Sequence, residues 1–326
     1  MTATPREGGQ LVHEAALYGS EDELLDLVVP FLRDGVAAGE PTLLGLDAET
    51  ERFVCDALGD TSGMTVLRGD EQYERPLDTL LLNHQMFTDY AEAGAQQIRI
   101  VGQVPPLAAS WDGWVRYEAA INHFYATLPI WGICPYDTRN TPEDVIADVK
   151  RTHPYLWTAA EGHQKNPRYI DPAAFLGERA RGDADPLEQQ PPDLEVTDPS
   201  PGDSRATVAD LARTTPLDDK AVDGLVLAVN ETVTNATVHG QPPITLRAWA
   251  ADDRIVVTVH DRGNGPTDPY AGLLPTGSDA NGGRGLWLAR QLCSRVTLTP
   301  EADGFTVRLV AGTPAERSAA PAQGLL

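Results

Sequence analysis

Three short stretches in the last third of this chain constrain its fold more than anything else in the sequence. The first, Asn230-Glu231-Thr232-Val233-Thr234-Asn235-Ala236, lies in a run where Val222, Val226, Val229 and Val233 recur at the spacing of one helical face. Glu231 falls two residues beyond Val229, roughly 200° around a helix of about 3.6 residues per turn. Asn235 is one turn further on, so the acid and the amide share the face opposite the core. A carboxylate and an amide oxygen stacked this way suit a hard cation such as Mg²⁺. The carboxylate is equally placed to orient or deprotonate a hydroxyl that attacks a phosphate. Taken alone, Glu-x-x-x-Asn is more often a solvated helix face.

The second stretch is Asp261-Arg262-Gly263-Asn264-Gly265. It follows a predicted strand, Arg254 to His260, whose Ile255, Val257 and Val259 alternate on one side. That strand is predicted to pair with Ile244 to Ala250 through Ala251-Asp252-Asp253. An aspartate held at such a strand end can accept a hydrogen bond from an exocyclic amine such as that of adenine. The glycines Gly263 and Gly265 let backbone pass close to a ligand. The third stretch, Gly282-Gly283-Arg284-Gly285, precedes Leu286 to Cys293 and would aim backbone N–H groups at phosphates from the start of a helix. Each stretch alone is ordinary turn or helix chemistry. Their order, spacing and element types together are those of a nucleotide site.

At this point a resemblance can be stated. Arg205 to Leu309 resembles the ATPase domain of the GHKL superfamily, and most of all its small branch, the anti-sigma-factor serine kinases. Leu227 to Ala236 with His239-Gly240 resembles that branch's N-box, and Asp261 to Pro266 and Gly282 to Trp287 its two glycine boxes. The resemblance implies a Bergerat-type α/β sandwich binding ATP with Mg²⁺. It implies that Asn235 holds the metal, that Glu231 is the catalytic base for an acceptor serine, and that Asp261 reads adenine. It implies that Gly263 and Gly265 shape the pocket while Gly282, Gly283, Arg284 and Gly285 close over phosphates. Arg205 falls where the family carries a partner-contacting arginine. The implied partners are an alternative sigma factor and an anti-anti-sigma protein of the STAS type, and relatives of this domain often form homodimers. The segment Thr267 to Asn281 lacks the basic, threonine-rich lid of some relatives, so phosphate contacts would rest on Arg284 and backbone. No phosphoacceptor histidine helix precedes the domain, which argues against a sensor histidine kinase. His239 is expected to shape the helix end.

The whole chain bounds this reading. With 326 residues it suits two domains, each able to form its own core. Its 25 Lys and Arg against 48 Asp and Glu give a formal net charge of −23, which repels nucleic acid. Cys55, Cys134 and Cys293 are odd in number and widely spaced, as expected of reduced thiols in a cytoplasmic protein. No signal-like leader is evident, and no run approaches the roughly 18 apolar residues of a membrane span. Residues 181–203 are acidic and proline-rich and are expected to form a semi-extended linker within a connecting segment, 158–203. The ATPase-like domain is placed at 204–311 and a disordered tail at 312–326.

Before the linker, helix and strand signals alternate. Helices are predicted at Leu24 to Leu32, Thr50 to Leu58, Leu77 to Ala93, Trp111 to Tyr125 and Pro142 to Thr152. Strands are predicted at Thr42 to Leu46, Val66-Leu67, Ile98 to Val101 and Ile130 to Cys134. Such β-then-α repeats imply a mostly parallel sheet with ligands at the carboxyl ends of its strands. Gly35 to Glu40 lacks the Gly-Lys-Ser/Thr of a Walker loop. His13, His84 and His123 have no metal-ligand spacing and read as core or surface histidines. A second resemblance covers residues 11–157. His13-Glu14 with Tyr18, Gly39-Glu40, Trp111 with Glu118, Cys134-Pro135-Tyr136-Asp137 and His153-Pro154 resemble a MEDS sensory domain. It implies a RecA-like parallel α/β fold, without the Walker lysine, that senses a small organic molecule.

The leading expectation is a two-domain switch. The N-terminal domain would sense a small molecule or partner, and the C-terminal domain would bind Mg·ATP. The second domain would then hold a sigma factor or phosphorylate a serine or threonine of a STAS partner. The alternatives are a non-catalytic module clamped on its partner by nucleotide, and a nucleotide-independent sensor.

Overall fold

The computed structural model describes residues 9–67, 76–104, 111–179, 184–274 and 284–312. They form two compact units, Met1–Leu176 and Gly177–Leu326.

The first unit is built on a seven-stranded sheet. Its strands are β1 (Val12–Tyr18), β2 (Thr42–Gly45), β3 (Thr65–Val66), β4 (Ile98–Gly102), β5 (Ile130–Asp137), β6 (Tyr155–Thr158) and β7 (Gly162–Lys165). The spatial order is β3-β2-β4-β5-β1-β6-β7. Every neighbouring pair is parallel except β6 with β7. Its helices are α1 (Glu21–Ala37), α2 (Ala48–Leu58), α3 (Pro76–Glu92), α4 (Trp111–Phe124) and α5 (Glu143–Thr152), followed by α6 (Pro172–Arg179). Local chemistry sets the helix starts. Ser20 caps α1 by accepting from the Glu23 N–H, and Asp47 caps α2 by accepting from Glu49 and Thr50.

The predicted helices and strands of this unit are all present, their ends moved by a few residues. The mostly parallel sheet expected from the β-then-α repeats is the one observed. Residues Leu24, Val28 and Leu32 of α1 and Val54 of α2 pack with Ala16, Leu44, Val101 and Ile133. Strand residues alternate between faces, so His13 points to the other side, toward Asn122 of α4. Helices α3 and α4 are tied by the Tyr125 hydroxyl on the Leu80 carbonyl at 2.9 Å and by Asn83 on Tyr117 at 3.2 Å. The sheet also continues past residue 157, because β7 adds to it within the segment expected to be a connector.

The second unit is a two-layer sandwich. Strands β8 (Leu194–Thr197), β9 (Thr245–Ala250), β10 (Arg254–Asp261), β11 (Arg295–Glu301) and β12 (Gly304–Gly312) form an antiparallel sheet ordered β11-β12-β10-β9-β8. Helices α7 (Pro201–Ala212), α8 (Asp219–His239) and α9 (Gly285–Leu292) contribute to one apolar layer on it. Leu225, Val229 and Val233 of α8 meet Ile255, Val257 and Val259 of β10 there. The face predicted for α8 is shifted by one position at one point: Leu225 is fully buried and Val226 only partly so.

The expected linker is the main departure from the sequence reading. Residues 186–189 form a 3₁₀ turn, residues 194–197 are strand β8, and Ser200 caps α7 with Pro201 in its first turn. Charge pairing explains why an acidic, proline-rich segment packs. Asp185, 2% exposed, sits 2.9 Å from the Arg254 guanidinium and 3.4 Å from that of Arg295, and Glu188 lies 2.8 Å from that of Arg308. Trp249 donates its indole N–H to the Gln190 carbonyl at 2.9 Å, and Leu187 packs on Trp249, Val256 and Val310. The segment is a strap on the sheet face away from the helices. The tail after Gly312 lies outside the described residues.

Candidate functional site

Helix α8 gathers the three stretches singled out in the sequence. It starts at Asp218, whose carboxylate accepts from the Ala221 N–H at 2.7 Å, and it ends at Gly240. Its apolar stripe is buried, while Glu231 and Asn235 remain half-buried on another face. The start of α9 lies directly on that face. A Cβ placed on Gly285 would come within 2.9 Å of a Glu231 carboxylate oxygen and 3.2 Å of the Asn235 amide nitrogen. Only a glycine leaves those two side chains that space. Glu231 also accepts from the Asn230 amide at 3.2 Å.

Asp261 is fixed one step along, at the end of β10 and 7% exposed. One carboxylate oxygen accepts from the Gly263 N–H at 2.6 Å and from the Gln241 N–H at 3.1 Å. Glycines wall it closely: a Cβ on Gly240 or on Gly263 would fall 2.5 or 2.6 Å from that same oxygen. Among the described residues no hydrogen bond engages its other oxygen, which leaves one acceptor on a carboxylate of fixed orientation. Gly265 has a φ of +68° and meets the Phe305 ring, where a Cβ would lie 2.3 Å from a ring carbon. The contributions of Gln241 and Phe305 were not legible in the motif. Phe305 stands opposite Asp261 in the ladder, while Gln241 follows the end of α8, its carbonyl accepting from the Arg262 N–H at 2.8 Å.

Glu231 and Asn235 are thus set against Gly285, and Asp261 and Gly263 against Gly240 at the end of the same helix. Gly265 is exposed, like Arg284, the residue that precedes α9. Gly282 and Gly283 lie outside the described residues. Arg205 is exposed on α7. His239 closes the helix as expected, in its last turn before Gly240.

Cavities also lie among the described residues of the first unit. One of about 610 Å³ opens at the carboxyl ends of β1, β2 and β5, bounded by Tyr18, Asp47, Gln103, Asp137 and Arg139. Burial, with the charges of Asp137 and Asp47, pushes the Tyr18 hydroxyl up to about 12. Glu21, Glu49 and Asp56 add further carboxylates, and Arg52 joins Arg139 in the lining. Another, about 40 Å³, is apolar and lies among Phe87, Tyr117, Ile121 and Tyr125 beside His13 and Cys134.

A helix-backed antiparallel sheet with a glycine-walled aspartate at a strand end defines a histidine kinase-like class of domain, joined here to a parallel α/β unit. Comparison with known proteins agrees. Residues 12–154 match the family model MEDS, the methanogen/methylotroph, DcmR sensory domain, and residues 200–311 match that of the histidine kinase-like ATPase domain. The chain thus joins a MEDS sensory domain to a GHKL-type ATPase domain. It is 26% identical over 155 residues to the transcriptional repressor DcmR of Methylorubrum extorquens, covering 43% of this chain and 57% of that one. The match therefore spans little more than half of the curated relative's length. Among solved structures, the RsbU and RsbW domains of Rv1364c from Mycobacterium tuberculosis are 24% identical, covering 38% of this chain and 33% of that one, with a TM-score of 0.29. The histidine kinase domain of a blue-light activated kinase from Erythrobacter litoralis is 13% identical, covering 75% and 94%, with a TM-score of 0.25. No helix among the described residues is long and apolar enough to cross a membrane.

Proposed function

We propose that this chain is a regulatory sensor whose histidine kinase-like domain binds Mg·ATP and uses it to hold a protein partner. The observation that carries this reading is the convergence on α8: Asp261 oriented by two backbone N–H groups, and Gly285 set against Glu231 and Asn235. In this reading the unengaged oxygen of Asp261 takes the adenine amine, and Asn235 supplies an oxygen to Mg²⁺. Arg284 and the first backbone N–H groups of α9 face the phosphates. The bound nucleotide supplies charge and a rigid surface at the α8–α9 junction. The chain's residues orient it and shape the partner's docking face, with Arg205 as a contact. The MEDS domain, whose strand order we read as RecA-like, supplies the sensing of a small molecule.

Glu231 favours a second reading, in which the same domain is a serine/threonine kinase acting on a STAS-type anti-anti-sigma protein. A half-buried carboxylate beside Gly285 can hold and deprotonate an acceptor hydroxyl, and phosphoryl transfer asks mainly for positioning and charge neutralisation. The test uses radiolabelled ATP with Glu231→Ala and Asn235→Ala. The clamp reading expects both wild type and Glu231→Ala to bind nucleotide and partner, with no label on the partner. The kinase reading expects label transfer that Glu231→Ala abolishes while nucleotide stays bound. Loss of nucleotide binding in neither variant would remove Asn235 from the site.

A further inference from the structure

Four side chains that the sequence scatters over about 140 residues meet beneath α4: His13 of β1, Glu118 of α4, Cys134 of β5 and His153 just after α5. Their nitrogen, oxygen and sulfur atoms all lie within 4.8 Å of one another. The fold accounts for the meeting. Strands β1 and β5 are parallel neighbours with His13 opposite Gly132 and Ala15 opposite Cys134, which puts His13 and Cys134 on one face. Helix α4 delivers Glu118 to that face, and the end of α5 delivers His153. His13, Glu118 and His153 are no more than 1% exposed.

The hydrogen bonds around the cluster fix where its protons are. The Asn122 amide nitrogen donates to the Thr152 and Glu118 carbonyls at 2.8 and 2.9 Å, so its oxygen must face His13 Nδ1, 3.1 Å away. That oxygen only accepts, so His13 carries its proton on Nδ1. His153 Nδ1 lies 2.9 Å from the Val149 carbonyl, which imposes the same tautomer. In the neutral rings both Nε2 lone pairs then point inward. They lie 3.1 and 3.3 Å from Oε2 of Glu118, which is itself an acceptor. Neither Oε2 of Glu118 nor Nε2 of His153 makes a hydrogen bond, although both are buried. Tyr136 donates to the other Glu118 oxygen at 2.9 Å and holds the carboxylate in place, and Cys134 Sγ is 3.4 Å from His13 Nε2.

A knot of acceptors facing one another calls for a cation at its centre. We infer that His13, Glu118, Cys134 and His153 form a binding site for one divalent transition-metal ion of the zinc class. The spacings fit. A tetrahedron with metal–ligand bonds of about 2.0–2.3 Å has edges of roughly 3.3–3.7 Å, close to the three separations above. Two imidazoles, a carboxylate and a thiolate are borderline-soft donors suited to Zn²⁺ rather than to Mg²⁺ or Ca²⁺. Binding releases the Cys134 thiol proton to solvent. Nδ1–H bonds to Asn122 and to a backbone carbonyl are the supports that metal-ligating histidines use. The apolar cavity beside His13 and Cys134 leaves one flank of the ion against empty apolar space.

The experiment uses the full chain, purified under reducing conditions and dialysed without chelator. Metal is counted by mass spectrometry, and Co²⁺ is then titrated into the chelator-stripped protein. The expected result is on the order of one zinc-class ion per chain, with visible Co²⁺ bands of tetrahedral thiolate coordination that Zn²⁺ displaces. Cys134→Ser should lose the sulfur-to-cobalt charge-transfer band. His153→Gln should bind more than about tenfold more weakly, and Asn122→Ala roughly 10–100-fold more weakly through its hold on His13. Circular dichroism establishes that each variant is folded, and the wild-type spectrum alone decides the case should one fail. A metal-free wild type that takes up no Co²⁺ would overturn the inference, leaving a protonated histidine paired with Glu118. Stoichiometric metal retained in both folded Cys134→Ser and His153→Gln would overturn it equally.

Discussion

The two sites of this chain are built in opposite ways. The α8 site is assembled from stretches that each carry their chemistry in a few consecutive residues, and its side chains stay half-buried around glycines that keep space open. The cluster beneath α4 draws single residues from β1, α4, β5 and the end of α5, and buries three of the four. The first arrangement should change its surroundings little when an exposed or half-buried side chain such as Asn235 is removed. The second is part of the core, so its chemistry and the stability of the domain are coupled.

That contrast is broken or sharpened by substitution, and the largest effect belongs to Glu118. Glu118→Ala leaves the buried Tyr136 hydroxyl without its acceptor and empties a fully buried position, and should cost about 2–4 kcal/mol in chemical denaturation. A loss below about 1 kcal/mol would mean the cluster does not hold the core together. Gly265→Ala comes next. At a φ of +68°, with the Phe305 ring against the new Cβ, it should cost about 1–3 kcal/mol by the same measurement. An unchanged midpoint would show that the turn can relax away from Phe305.

The strap gives a smaller effect with a pH signature. Burial alone would raise the Asp185 carboxyl, but the Arg254 guanidinium, the Leu187 N–H and Arg295 hold it below its ordinary value. A depressed folded value means the carboxylate stabilises the fold above the unfolded value of about 3.9, and that this contribution fades as pH falls through the folded value. Asp185→Asn should therefore lower stability at neutral pH and flatten its acid dependence. An acid limb identical to wild type would remove Asp185 as its source. Asn235→Ala should change stability by no more than about 0.5 kcal/mol while nucleotide binding is lost, and Arg205→Ala should leave both intact and affect partner binding alone. A large stability loss in Asn235→Ala would erase the contrast between the sites.

The same contrast explains what was legible in the sequence. The alternation of Ile255, Val257 and Val259 and the motif beginning at Asp261 depend on near neighbours, so the hairpin and the strand end were read correctly, and the face of α8 with Leu225 in place of Val226. Strand β1 gave no such signal. His13 and Glu14 occupy positions where a buried strand would show apolar residues, and the cluster that justifies His13 there is assembled from residues distant in sequence. The sequence reading of His13 as a core or surface histidine fits its burial, but the company it keeps was invisible, because spacing shows a cluster only when its members share an element. The strap was misread for a related reason. Its acidic, proline-rich composition argues against burial until Arg254, Arg295 and Arg308 are placed opposite it by strand pairing.

The most direct measurement is a calorimetric titration of Mg·ATP into the full chain, with Asn235→Ala alongside. Saturable binding by the wild type that disappears in a folded Asn235→Ala variant is the predicted result. A wild type that takes no nucleotide would contradict the account, leaving the glycine-walled aspartate at the end of β10 without its proposed ligand.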